Sequence, residues 1–256
     1  MTILRLSILV SLLLGSVSMA ETAIETEELV FDADDRKAVL LRYAKGGNDT
    51  RPAVLLLHGA SGFLRLRELY ERHAMALTAT GHRVYVVMYY SDSDHLVMTG
   101  NGREARRKTY RQRFESWVQT TADALEYVTT IPSTDTDNVA VLGFSQGAYI
   151  AVGVAGTDRR VTAIVVKYGG LPSALADRID TMPPTLIIHG EADDVVPLSE
   201  AYNLAQFLDE LCADYVLKTY ADAGHGFDAR KDSETADDSV QLTVDFLNEN
   251  LKTAQK

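Results

Sequence analysis

Short apolar segments alternate with longer amphipathic segments along most of the chain. The apolar segments are four to six residues long, and three of them, AVLLLH, VYVVM and TLIIH, are apolar on both faces. A strand that is apolar on both faces is typical of a parallel sheet buried between two layers of helices. On this pattern we predict strands at residues 28–31, 38–43, 53–58, 84–88, 139–143, 163–167, 185–189 and 215–220.

The amphipathic segments repeat their apolar positions every three or four residues, which is typical of helices. Helices are therefore predicted at residues 64–79, 110–129, 146–155, 199–212 and 239–251. Segment 91–108 breaks the pattern with two glycines and an asparagine, and we interpret it as an irregular loop. The alternation of strands and helices indicates an α/β fold in which a mostly parallel central sheet carries helices on both faces.

Residues 1–20 differ from the rest of the chain. They place Arg5 near the start, then a leucine-rich run, then the small residues Ser18 and Ala20. This order is typical of a secretory signal peptide, and the apolar run is short for a retained membrane anchor. We therefore expect an exported protein, periplasmic or secreted, with no stable membrane anchor, in which residues 21–256 form a single domain.

The charge argues against a nucleic-acid partner, and the cysteine content excludes a disulfide within the chain. The chain has 36 acidic and 25 basic residues and a net charge of -11, whereas nucleic-acid binding depends on a positive surface. The single cysteine, Cys212, has no second cysteine with which to form a disulfide within the chain. No cofactor and no metal are predicted, because the spacing of the candidate ligands matches no metal-binding motif.

Polar segments follow four of the predicted strands directly. They are HGASG, GFSQG, HGEADD and AGHGF, which begin at residues 58, 143, 189 and 223. The carboxyl ends of parallel strands lie at one edge of a sheet, and ligands bind at that edge in open α/β folds. We therefore expect the four segments to converge on one site.

Ser145 is the candidate nucleophile of that site. It lies in G-x-S-x-G between a β-branched strand and an alanine-rich helical segment, a context that predicts a sharp turn exposing the serine hydroxyl. A serine needs a base to take its proton, and in this arrangement the acid and then the histidine follow the serine along the chain. His225 is the histidine downstream of Ser145 and of the candidate acids, so we predict it as the base.

The acid and the oxyanion donors follow from the same arrangement. Asp193 is favoured over Asp194 as the acid that orients His225, because its place in the turn directs it back across the sheet edge. The backbone N–H groups of Gln146 and Ala60 are predicted to form the oxyanion hole.

The segment between residues 103 and 113 holds six basic residues in an acidic chain. Attraction of anionic substrates would explain them, but a helix with a buried apolar stripe is favoured, which leaves Arg103, Arg107 and Arg111 on its solvated face. Substrate contacts are predicted from Phe63, Tyr89, Tyr90, Arg106 and Arg113.

The segments HGASGF, GFSQG, HGEADDVVP and YADAGHGF, in this order and spacing, resemble the α/β-hydrolase superfamily and, within it, the dienelactone hydrolase family. The resemblance runs from about residue 30 to residue 250 and implies the α/β-hydrolase fold. Its D-x-x-V-P and A-G-H-x-F motifs support Asp193 over Asp194. The namesake enzymes use a cysteine nucleophile and hold a substrate carboxylate with arginines. Here a serine stands at 145. One of the family's arginines lies shortly after the catalytic histidine, and Arg230 of this chain is displaced from that place by one position.

Together these features predict a serine hydrolase that cleaves small carboxylic esters or lactones through an acyl-enzyme, with a small-molecule substrate as its partner. Two alternatives remain open. One is a peptidase or acyltransferase with the same three side chains, and the other is a non-catalytic binding module that keeps the fold.

Overall fold

The fold is described by a computed structural model over residues 23–34, 36–100, 102–230 and 233–251. Within these ranges the strands are β1 (Ile24–Ala33), β2 (Arg36–Lys45), β3 (Arg51–Leu57), β4 (Arg83–Met88), β5 (Thr134–Phe144), β6 (Val161–Lys167), β7 (Thr185–Gly190) and β8 (Tyr215–Tyr220). The α-helices of the same ranges are α1 (Arg67–Ala79), α2 (Asp92–Gly100), α3 (Arg103–Thr129), α4 (Gln146–Thr157), α5 (Leu198–Glu210) and α6 (Glu234–Asn250).

The eight strands form one sheet in the order β1-β2-β4-β3-β5-β6-β7-β8. From β4 to β8 every neighbouring pair is parallel, whereas β1 and β2 add an antiparallel edge. The prediction of a mostly parallel sheet is therefore confirmed. The central strands are buried on both faces, as residues 52–57 of β3 and 139–144 of β5 illustrate.

Helices cover both faces of the sheet, as predicted, and each layer has its own core. Helices α3, α4 and α5 pack on one face around Trp117, Ile150 and Leu204. Helices α1 and α6 pack on the other face around Leu77 and Leu247. Each of these five side chains is fully buried, and burial of one such side chain stabilises the fold by about 1.5–3 kcal/mol.

Residues 92–100 and 103–108 are helical, so the interpretation of segment 91–108 as an irregular loop is wrong. The Ser91 hydroxyl oxygen accepts a hydrogen bond from the Asp94 N–H at 3.1 Å, and the Asp94 carboxylate accepts one from the Ser91 N–H at 3.1 Å. This reciprocal pair is a capping box, which starts α2. The glycines that suggested a loop separate two helices: α2 ends at Gly100 and α3 begins at Arg103.

The predicted signal peptide, residues 1–20, lies outside the described residues. In the part of the chain that is described, no helix is both long enough and apolar enough to cross a lipid bilayer.

Candidate active site

Ser145 lies on a strained turn between β5 and α4. Its φ and ψ are 52° and -117°, a backbone conformation that a residue with a side chain adopts only where the surrounding structure holds it. Gly147 allows this turn to lie against the end of β3, because a Cβ atom at Gly147 would lie 2.4 Å from the Leu57 carbonyl oxygen. The glycine of the motif thus serves a close backbone approach, as its position in the elbow requires.

The imidazole of His225 lies between Ser145 and Asp193. Its Nε2 is 2.9 Å from the Ser145 hydroxyl oxygen, and its Nδ1 is 2.7 Å from the Asp193 Oδ2 atom. The aspartate is itself held in place, because its Oδ1 accepts hydrogen bonds from the N–H groups of Val195 and Val196 at 2.9 and 2.8 Å. One carboxylate oxygen is therefore fixed by the backbone and the other faces the histidine, which sets the orientation of the ring.

The structure separates Asp193 from the two neighbouring acids. Asp193 is buried, whereas Asp194 and Glu191 are exposed. The Glu191 carboxylate accepts a hydrogen bond from the Thr219 hydroxyl at 2.7 Å. Of the three acids, Asp193 is thus the one with the described contact to His225.

Ala60 and Gln146 both line the cavity beside Ser145. Gln146 is the first residue of α4, so its N–H belongs to the group of helix N–H groups that have no partner within the helix. Tyr90 connects the two segments: its hydroxyl donates a hydrogen bond to the Ala60 carbonyl at 3.2 Å and accepts one from the Gln146 side-chain amide at 2.7 Å. The two predicted oxyanion donors therefore belong to segments that one phenol holds together.

Four of the five predicted substrate contacts do not line this cavity. Phe63 and Tyr90 line a neighbouring cavity on the far side of the 58–62 turn, and Tyr89 is fully buried, with its hydroxyl donating to the His58 carbonyl at 2.6 Å. The Arg113 side chain faces α2, where its Nε donates to the Asp94 carboxylate at 3.1 Å. Phe63, Tyr89, Tyr90 and Arg113 thus do not border the cavity beside Ser145, and their contact with a substrate stays a prediction.

The cavity beside Ser145 has a volume of about 660 Å³. Of the predicted substrate contacts, Arg106 lines it, and so do the three arginines that the sequence analysis assigned to a solvated face, Arg103, Arg107 and Arg111. Apolar side chains line the same cavity, namely Leu66, Leu69, Met98, Phe144 and Val195. Among the described residues, no group of three or more His, Cys, Asp or Glu side chains could hold a metal ion.

Three phenols also line the cavity, those of Tyr70, Tyr110 and Tyr168, and burial raises the pKa of each, so that all three are neutral at ordinary pH. Burial raises the pKa of Tyr70 to about 12, and burial followed by the charge of Asp228 raises the pKa of Tyr168 well above its usual value. The Tyr168 ring contacts the His225 ring edge-on, with 5.0 Å between the ring centroids. Tyr168 therefore forms part of the wall against which the imidazole is held.

Tyr168 and the buried charges behind it were not predicted from the sequence. Tyr168 donates a hydrogen bond to Asp228 at 2.9 Å, and Lys167 lies 2.7 Å from the same carboxylate. One signal was available: Lys167 ends the apolar strand AIVVK, and a lysine that is buried in a sheet requires a partner. The sequence pattern does not indicate which acid that partner is.

Comparison with known proteins gives a family and several relatives. The model of the dienelactone hydrolase family matches residues 40–251. The chain is 28% identical to Esterase YpfH of Escherichia coli (strain K12) over 42% of this chain and 43% of the relative. It is 35% identical to the carboxymethylenebutenolidase homolog of Rattus norvegicus over 36% of this chain and 38% of the relative. Each match thus covers less than half of the length of the curated relative.

The fold is also similar to solved structures. A dienelactone hydrolase-like promiscuous phosphotriesterase from metagenomic libraries superposes with a TM-score of 0.74 at 20% identity, covering 90% of this chain and 100% of that chain. At such identity the superposition shows the α/β-hydrolase fold alone. The family match covers most of the sequence and includes Ser145, Asp193 and His225. The chain therefore belongs to the dienelactone hydrolase family.

Proposed function

We propose that the protein hydrolyses carboxylic esters or lactones and that Ser145, His225 and Asp193 act as its catalytic triad. The observation that carries this proposal is the continuous contact from Asp193 Oδ2 through the imidazole to the Ser145 hydroxyl, with distances of 2.7 and 2.9 Å. The similarity to an esterase and to carboxymethylenebutenolidase homologs supports the same reaction class.

In the proposed reaction, His225 Nε2 takes the proton of the Ser145 hydroxyl as the oxygen attacks the carbonyl carbon of the substrate. Asp193 accepts a hydrogen bond from Nδ1–H and stabilises the imidazolium that forms. The oxygen of the tetrahedral intermediate receives hydrogen bonds from the Gln146 and Ala60 N–H groups, each worth about 3–4 kcal/mol of barrier stabilisation. His225 then protonates the leaving alcohol.

Deacylation repeats these steps with water. The water loses a proton to His225 and attacks the acyl-enzyme, and the imidazolium returns that proton to the Ser145 oxygen as the acid leaves. Each proton removed is thus given back, and the net reaction consumes one water. No residue of the site needs a cofactor for this sequence.

A fluorophosphonate probe tests the proposed nucleophile directly. We expect the probe to label the native protein at one position, and mass spectrometry to find the label on Ser145, because the probe reacts with an activated serine. Ser61 lines the same cavity and is the matched control, so Ser61→Ala should keep the labelling and Ser145→Ala should abolish it. Folded protein that remains unlabelled would favour the non-catalytic binding module.

We also propose that the protein is exported, on the pattern of residues 1–20 alone. Expression of the full chain in a bacterial host, followed by fractionation and N-terminal sequencing, is expected to give a product outside the cytoplasm that begins at Glu21. A product that keeps Met1 and stays in the cytoplasmic fraction would contradict export.

A further inference from the structure

Four arginines of α3 form one charged surface of the cavity that contains Ser145. This surface, the arginine face, consists of Arg103, Arg106, Arg107 and Arg111. Their positions are i, i+3, i+4 and i+8, a spacing that places them on one side of a helix. All four are exposed. The two other charged residues of these turns, Glu104 and Lys108, do not line the cavity.

No acid balances this charge in the cavity. None of the described residues that line it is an aspartate or a glutamate. Within the described parts of the chain, Arg113 of the same helix pairs with Asp94, whereas no salt bridge is found for the arginine face. The wall that α3 contributes to the cavity is therefore positively charged, in a protein whose net charge is -11.

The arginine face also costs helix stability. Arg103 and Arg107, and then Arg107 and Arg111, are like charges four residues apart, and such pairs destabilise a helix. An anion bound between the arginines would remove this repulsion. The spacing from Arg103 to Arg111 is about 12 Å along the helix axis, whereas one carboxylate is bound bidentately by one guanidinium. A single negative charge therefore leaves most of the arginine face unused.

We propose that the substrate is an ester that carries at least two negative charges, from carboxylate or phosphate groups, on the part of the molecule next to α3. The inference rests on the proposed function. The apolar side chains Leu69, Met98 and Phe144 line the cavity and would take the uncharged part of the substrate, while the arginine face binds the anionic groups. Guanidinium groups suit this role because their planar donors match carboxylate and phosphate oxygens.

The test compares esters that differ in charge and keep a similar size. The first set varies the acid part of the ester, called the acid side, and keeps the same alcohol. Its members are p-nitrophenyl butyrate, the mono-p-nitrophenyl ester of glutarate, a mono-p-nitrophenyl ester of tricarballylate and p-nitrophenyl 4-phosphonobutyrate. The second set varies the alcohol part of the ester, called the alcohol side, and keeps the acetyl group. It compares neutral phenyl acetate with 5-acetoxyisophthalate, which carries two carboxylates. The phosphonate and tricarballylate esters distinguish the phosphate type of anion from the carboxylate type.

We expect kcat/KM for a doubly charged ester, on at least one of the two sides, to exceed that of its neutral partner by about tenfold or more at low ionic strength. The preference should shrink in 0.5 M NaCl, because salt screens the attraction between exposed charges. Arg103→Gln combined with Arg107→Gln should remove most of the preference, because it deletes two of the four charges that would bind the anionic groups. Lys108→Gln, on the same helix but outside the cavity, is the matched control and should leave the preference unchanged.

Two results would overturn the inference. One is equal kcat/KM for neutral and doubly charged esters on both sides, and the other is a singly charged glutarate ester that is cleaved as well as the doubly charged ones. In either case the neutral esters are still cleaved, so the proposed function stands. Loss of hydrolysis of every ester, with no labelling of Ser145, would instead remove the proposed function.

Discussion

Replacing Ser145 by alanine is expected to lower kcat for ester hydrolysis by on the order of 10⁵-fold or more, the scale seen when a triad nucleophile is lost. The reason is that the covalent step needs the hydroxyl oxygen, which lies 2.9 Å from His225 Nε2. The remaining groups, the oxyanion donors and the binding cavity, can assist only a direct attack by water. Steady-state kinetics on p-nitrophenyl butyrate at saturating substrate measure the effect.

The same variant separates catalysis from folding. Ser145 occupies a strained backbone conformation whatever its side chain, so Ser145→Ala should unfold at nearly the same denaturant concentration as the native protein. Hydrolysis that falls by less than about tenfold in folded Ser145→Ala protein would show that another group is the nucleophile.

Replacing Lys167 by methionine is expected to lower the free energy of unfolding by about 3–5 kcal/mol, because the change leaves a buried carboxylate without its counter-charge. Lys167 Nζ donates hydrogen bonds to Asp228 Oδ2, His73 Nε2 and the Ser239 hydroxyl, each at 2.7 Å. All four residues are almost completely buried. Urea denaturation monitored by the fluorescence of Trp117 measures the loss.

The protonation of His73 determines the direction of these hydrogen bonds. Its Nδ1 lies 2.9 Å from the Leu69 carbonyl oxygen, so Nδ1 carries the proton and Nε2 accepts one from Lys167. Burial, followed by the charge of Lys167, lowers the pKa of His73 to about 3. Asp228 is therefore the counter-charge of Lys167, which makes the unpaired carboxylate the main consequence of the substitution.

A double variant tests this explanation. Lys167→Met combined with Asp228→Asn removes both charges, so it should recover part of the stability that Lys167→Met loses. The amide introduced by Asp228→Asn would keep an oxygen to accept the hydrogen bond that Tyr168 now donates at 2.9 Å. The explanation is wrong if Lys167→Met unfolds within about 1 kcal/mol of the native protein, or if the double variant is less stable than the single one.

The buried charges also bear on the active site. Asp228 follows His225 by three residues, and it anchors Tyr168, whose ring contacts the imidazole. The Lys167 carbonyl accepts the Ser145 N–H at 2.9 Å. The end of β6 thus contacts the segments that carry both the serine and the histidine.

The amino-acid sequence by itself determined the features that depend on neighbouring residues. The apolar segments predicted the eight strands that the described residues form and the helical layers on both faces. For the central strands the reason is that burial on both faces leaves a continuous apolar run. The G-x-S-x-G motif predicted the turn at Ser145, since only glycine tolerates the close approach at position 147. The capping box at Ser91 and Asp94 was a local signal as well, although glycines nearby obscured it.

Only the tertiary structure decided which distant side chains meet. Lys167 and Asp228 are 61 residues apart, and no local pattern encodes their contact. The contact between Asp193 and His225, which are 32 residues apart, was predicted only from the order and spacing of the motifs, and its geometry comes from the fold. The arginine face shows the same limit. Helical periodicity places Arg103, Arg107 and Arg111 on one side of α3, but whether that side meets solvent or a cavity depends on how α3 packs beside the 58–62 turn. Whether a side chain faces solvent or a cavity depends on how the helices and strands pack together, and residues throughout the chain determine that packing.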